Sequence, residues 1–191
     1  MSMNKKDLYI NFIMDLAKDV DKWLHENYPF IAKFGSSDST IAGIKKQSEI
    51  AADLGEQNVT KEDPLIPYDK IDEYLNESGT YNNINKNHSN YKEMKELLID
   101  GLRAKVKALS KVFEGEGESY CELVKSALRD RKTAEEYLFL EYKIRKKQLE
   151  LLQSDSKLLD IPFFARGKAL EIIESVLQKE KELFKKRILE S

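Results

Sequence analysis

The chain has 191 residues, 41% hydrophobic and 35% charged, with 8 glycines, 4 prolines and a net charge of −2. That balance is too apolar for a disordered chain and too poor in Gly and Pro for a turn-rich sandwich or barrel. Six valines argue against a large sheet, and no apolar run is long enough to span a bilayer.

Abundant Lys, Glu, Leu, Ile and Ala predict an all-α chain of long antiparallel helices, forming a helical bundle or a coiled coil over a single domain, residues 1–191. Tyr9, Ile13, Leu16, Val20 and Trp23 recur at 4-3-4-3 spacing, a helical stripe that Pro29 should end. A break at Gly35 to Thr40 introduces a second helix over about 38–54, stopped by Gly55. Pro64 and Pro67 mark a loop, and Pro67 opens a short helix that buries Ile71, Tyr74 and Leu75. Six asparagines between Asn76 and Asn90 predict a flexible loop at about 78–89.

The second half is more regular. A helix over about 89–113 carries Tyr91, Met94, Leu98, Leu102, Leu109 and Phe113, and Glu114 to Glu118 interrupts it. The stretch 118–153 has no internal Gly or Pro and reads as one long helix. Asp130, Glu141 and Gln148 put polar groups on its seam, as expected where a partner helix supplies matching groups. Pro162 sits at a helix start, and the last helix, about 163–189, carries Ala169, Ile172, Ile173, Val176, Leu177, Leu183, Phe184 and Ile188.

Charge divides along the chain. Residues 1–100 hold 12 basic and 18 acidic groups, residues 101–191 hold 20 and 16. A local attraction to an anionic partner therefore has to come from the second half. Arg129, Lys132, Lys143, Lys146 and Lys147 are the candidate membrane-binding residues, spaced to share one face of a continuous helix. The plainer reading of such a run is a solvated face.

Catalytic and metal signals are weak. Asp21 and His25 are four apart, but no Glu-x-x-His pair accompanies them, and His88 lies among the asparagines. Cys121 has no sequence-adjacent His or Cys and no partner cysteine, which fits a reducing, cytoplasmic compartment. No secretory signal is visible at the start. Gly115-Glu-Gly117 lacks the Lys-Ser/Thr of a phosphate loop. The expectation is no catalytic residue, no metal and no cofactor. Aromatic residues fall mostly on apolar stripes, so a base-stacking platform for nucleic acid is not expected.

Ser119 to Asp155 resembles the middle helix of BAR domains of the sorting-nexin type. The matching positions are Tyr120, then Arg131 with Ala134 and Tyr137, then Arg145, Lys146 and Lys147, then Leu149 and Leu152. Glu180 to Arg187, around Phe184, is similar to the end of that family's last helix. The resemblance implies a homo- or heterodimer of three-helix protomers whose basic residues face anionic, curved membrane in trafficking. Beside it stands a second reading, a soluble helical-bundle adaptor for another protein.

Overall fold

The computed structural model describes residues 3–33 and 37–190. Among them the chain is α-helical, with one isolated antiparallel bridge, Ile84 to Leu159. Five helices make the frame: α1 (Lys5–Asn27), α2 (Ser37–Gln57), α5 (Tyr91–Val112), α8 (Leu140–Ser154) and α9 (Phe163–Leu189). They pack in cyclic order, α1 on α2, α2 on α5, α5 on α8, α8 on α9 and α9 back on α1. Short helices α3 (Tyr68–Asn76), α4 (Gly79–Asn82), α6 (Tyr120–Ala127) and α7 (Arg131–Leu138) close the gaps.

Local signals explain the ends. The Asn4 side chain caps α1 by accepting from the Asp7 amide, and Tyr28, ahead of Pro29, leaves helical geometry. Lys5 of α1 reaches across to the last turn of α5 and donates to the Phe113 carbonyl at 2.8 Å. Pro67 opens α3, which buries Ile71, Tyr74 and Leu75 as its spacing predicts. Gly55 does not stop α2. It lies inside the helix with its Cα facing Leu109 and Phe113 of α5, an approach so close that an added Cβ would sit 2.8 Å from the Leu109 Cβ. Of the break expected at Gly35 to Thr40, Gly35 and Ser36 lie outside the described residues, and Ser37 to Thr40 are instead the first turn of α2.

The long helix expected over 118–153 is three helices. Leu128 departs from helical geometry, and Asp130 caps α7 by accepting from the Lys132 amide at 3.0 Å. Phe139 makes the second corner, its ring packed against Tyr142 and Phe184. Neither corner uses Gly or Pro. A capping carboxylate and a buried aromatic residue turn the chain instead, and the fold of α6 back over α5 and α1 becomes possible.

The Asn-rich segment holds the one-turn helix α4, capped by Ser78, and is tied to the turn before α9. The Asn85 amide donates to the Leu158 carbonyl, and the Asp160 amide to the Asn83 carbonyl. His88 and Asn90 both meet the Asp155 carboxylate, at 3.2 and 2.9 Å.

The core is aromatic along one line. Tyr9 and Phe12 of α1 pack on Tyr120 of α6; Phe12 also packs on Phe184 of α9, which meets Phe139 and Tyr142. Such edge-to-face pairs stabilise by about 0.5–1.5 kcal/mol each beyond area burial. In α9 the inner row is Leu170, Leu177, Phe184 and Ile188, whereas Ile173 faces outward. Pairings such as Phe12 with Phe184 and Tyr28 with Ser175 make α1 and α9 antiparallel. Arg145 with Glu180 and Gln153 with Glu174 do the same for α8 and α9.

Candidate functional site

The five basic candidates are all on the surface. They do not share one helix. Arg129 lies in the corner between α6 and α7, Lys132 in the first turn of α7, and Lys143, Lys146 and Lys147 on the outer stripe of α8. The register expected to align all five along one continuous helix ends at Asp130 and again at Phe139. What survives is a triplet on α8, where 3- and 4-residue spacing keeps Lys143, Lys146 and Lys147 together. No ion pair holds any of the five among the described residues, although Glu136 and Glu150 are near in sequence. Arg145, from the same sequence cluster, differs: it turns inward and pairs with Glu180 at 2.8 Å.

Inside the bundle a polar network crosses four helices. Lys105 of α5 pairs with Glu141 of α8 at 3.1 Å and donates to the Tyr74 hydroxyl of α3 at 3.1 Å. Tyr142 and Arg145 both donate to the Glu180 carboxylate. Burial alone lowers the Lys105 ammonium, but the Glu141 carboxylate, helped by Tyr74 and Tyr9, outweighs it and holds the group well above the ordinary lysine value. Burial likewise disfavours the Arg145 charge, and Glu180 with Glu141 more than restores it. Burial pushes the phenols of Tyr9, Tyr74, Tyr120 and Tyr142 upward. At neutral pH the network thus holds a charged lysine and neutral phenols, without a deprotonated amine for nucleophilic chemistry.

Polar seam residues of the sequence find partners in this chain. Asp130 is a cap, Glu141 pairs with Lys105, and Gln148 donates to the Leu97 carbonyl at 2.7 Å. The matching groups come from α5 rather than from a second subunit.

Two shallow grooves flank α5. One, about 500 Å³, is lined by Pro64, Leu97, Arg103, Lys107, Ile144 and Lys147 among others. The other, about 420 Å³, lies between the 60–63 loop, α5 and Tyr137. Both mix acids with bases. Among the described residues no cluster of His, Cys, Asp and Glu is placed to hold a metal ion. The His25 Nδ1–H donates to the Asp21 carbonyl, 2.8 Å away, and Cys121 points its thiol at the Arg187 carbonyl.

Sequence reasoning missed Phe163 and Phe164, which are 84% and 89% exposed at the start of α9. Phe163 lies seven residues before Leu170, so it continues the inner row of α9 past the end of the bundle, where its ring is left exposed. That extension of the stripe, next to Pro162, is the signal that was legible. Leu65 and Tyr68, also exposed, flank the start of α3. No helix among the described residues is long and apolar enough to cross a membrane. No family model, curated protein or solved structure matches the chain.

Proposed function

We propose that the chain is a non-enzymatic helical module that works at an anionic membrane surface. One observation carries this reading: Lys143, Lys146 and Lys147 stand together on the outer stripe of α8 with no ion pair among the described residues. Basic side chains close to an anionic leaflet gain about 1 kcal/mol each. Lys132 and Arg129 lie apart from the triplet, in the first turn of α7 and the corner before it. The finer form of the reading, a dimer of the sorting-nexin BAR type, rests on the sequence resemblance alone, since three helices stand where that family has one.

The second reading, an adaptor for another protein, is favoured by a different observation. Glu141 and Gln148 are satisfied by α5, so this stretch needs no partner helix to match its seam. Exposed Leu65 and Tyr68 beside the groove at Pro64 would then offer the contact surface.

Co-sedimentation with vesicles separates the two. Binding to phosphatidylserine-containing vesicles that weakens with salt, and no binding to pure phosphatidylcholine, is the expected result. Absence of binding to either vesicle sinks the membrane reading and leaves the adaptor.

A further inference from the structure

We propose that the Phe163–Phe164 end of the bundle is the part that enters an anionic phospholipid interface. The inference rests on the membrane reading above and names where the apolar contact is made. The two rings are adjacent and almost uncovered, at 84% and 89% exposure, and neither lines either of the grooves beside α5. Rings this free stand on a convex tip. A protein partner would have to bring a matching pocket, whereas a fluid interface accepts projecting rings without one. Phenylalanine at a helix start with basic neighbours has the composition of an interfacial anchor.

Charge around the tip fits an anionic surface. One of its pairs is spent internally, Lys168 with Glu171, while the Asp155 carboxylate stands 3.2 Å from the His88 ring. In the 155–168 segment and the 84–86 stretch bridged to it, Lys86, Lys157 and Arg166 have no ion pair among the described residues, against the two acids Asp155 and Asp160. The Arg166 guanidinium lies 5.9 Å from the centre of the Phe163 ring and its Nε donates to the Ile161 carbonyl at 2.8 Å, fixing the turn behind the rings. Leu158 and Leu159 are buried beneath it, so the tip is presented by a packed base. Lys147 is seven residues from the end of α8 at this same end of the bundle, about 10 Å along the helix.

The test compares the whole protein with a Phe163→Ala/Phe164→Ala variant and with Phe164→Gln alone, on phosphatidylcholine vesicles with and without phosphatidylserine, at low and high salt. Thermal unfolding should be unchanged, because both rings are exposed. The wild type should bind anionic vesicles and keep part of that binding at high salt. The double variant should bind roughly tenfold or more weakly and lose the salt-resistant part. Wild-type binding that both variants reproduce in full overturns the tip and leaves the membrane reading standing. A wild type that binds no vesicle ends both. A lipid-free dimer that the double variant dissociates also overturns the proposal, since the rings would then belong to a self-interface.

Discussion

Lys105 of α5 and Glu141 of α8 stand 3.1 Å apart inside the bundle, with side chains only 17% and 26% exposed. The same ammonium donates to the Tyr74 hydroxyl, so one cation braces three helices. Removing either member strands the other in a poorly solvated place, which is costlier than never having had the pair. Lys105→Met and Glu141→Gln should each lower unfolding stability by about 2–4 kcal/mol. Lys105→Met combined with Glu141→Leu should recover most of that loss. Urea unfolding of the four chains measures the coupling directly. Additive losses would show that the pair contributes nothing as a pair.

The network also fixes the response to alkali. Buried Tyr9, Tyr74, Tyr120 and Tyr142 are pushed up by burial, and Lys105 is held up mainly by Glu141 against the opposing effect of burial. All five shifts have the same sign. Below about pH 10 both native and unfolded chains keep these protons, and the full stability is present. Above it the unfolded chain releases protons that the native chain still holds, so stability falls by about 1.4 kcal/mol per pH unit for each group. The protein should therefore show no effect of these groups from pH 7 to 9 and unfold steeply above 10. Phenolate absorbance from the four buried tyrosines should appear only together with unfolding. A smooth titration of all 9 tyrosines in the folded protein would contradict it.

The frame was legible from periodicity. The α1 stripe, the burial of Ile71, Tyr74 and Leu75, and the span of α9 all follow from apolar spacing and proline placement. The corners at 128–130 and 139 were not, because the sequence marks them without Gly or Pro. Asp130 was counted as a polar seam residue when its use is as a cap, and Phe139 turns the chain because its ring is needed at Phe184. The basic residues were legible as charge but not as a surface. Their alignment depended on a helix that tertiary packing breaks. The exposed pair Phe163–Phe164 was passed over because the stripe of the last helix was read only from Ala169 onward.

Asn58 holds the loop after α2. Its side chain is 2% exposed, donates to the carbonyls of Leu54 and Leu65, and accepts from the Leu65 amide. Asn58→Ala removes the side-chain partners of the Leu65 amide and carbonyl, while the Leu54 carbonyl keeps the Asn58 amide, and should cost about 2–3 kcal/mol. Asn58→Asp keeps one acceptor but cannot donate, so it should fail as well. Thr60, two residues on, has φ of 71°, a left-handed conformation that a β-branched side chain resists. Thr60→Gly should raise stability by several tenths of a kcal/mol, about what relief of that strain returns after the entropy cost of glycine. Thermal melts of the three variants rank them, and an unchanged Asn58→Ala protein would show the loop to be held by something else.

The α8 triplet gives the last prediction. Lys146→Glu/Lys147→Glu replaces two exposed cations, without an ion pair among the described residues, with anions and leaves the core intact: both residues are exposed, whereas Leu149 and Leu152 are buried. The fold should therefore survive, with unfolding stability within about 0.5 kcal/mol of wild type. If basic groups near an anionic leaflet gain about 1 kcal/mol each, losing two attractions should weaken vesicle binding about thirtyfold, and the added repulsion should weaken it further. Arg145 is the internal contrast. Its charge is committed to Glu180, so Arg145→Gln should reduce stability more than vesicle affinity. Equal vesicle affinity for wild type and the double charge reversal would show that α8 is a solvated face, and the membrane contact would have to be sought at the Phe163–Phe164 tip alone.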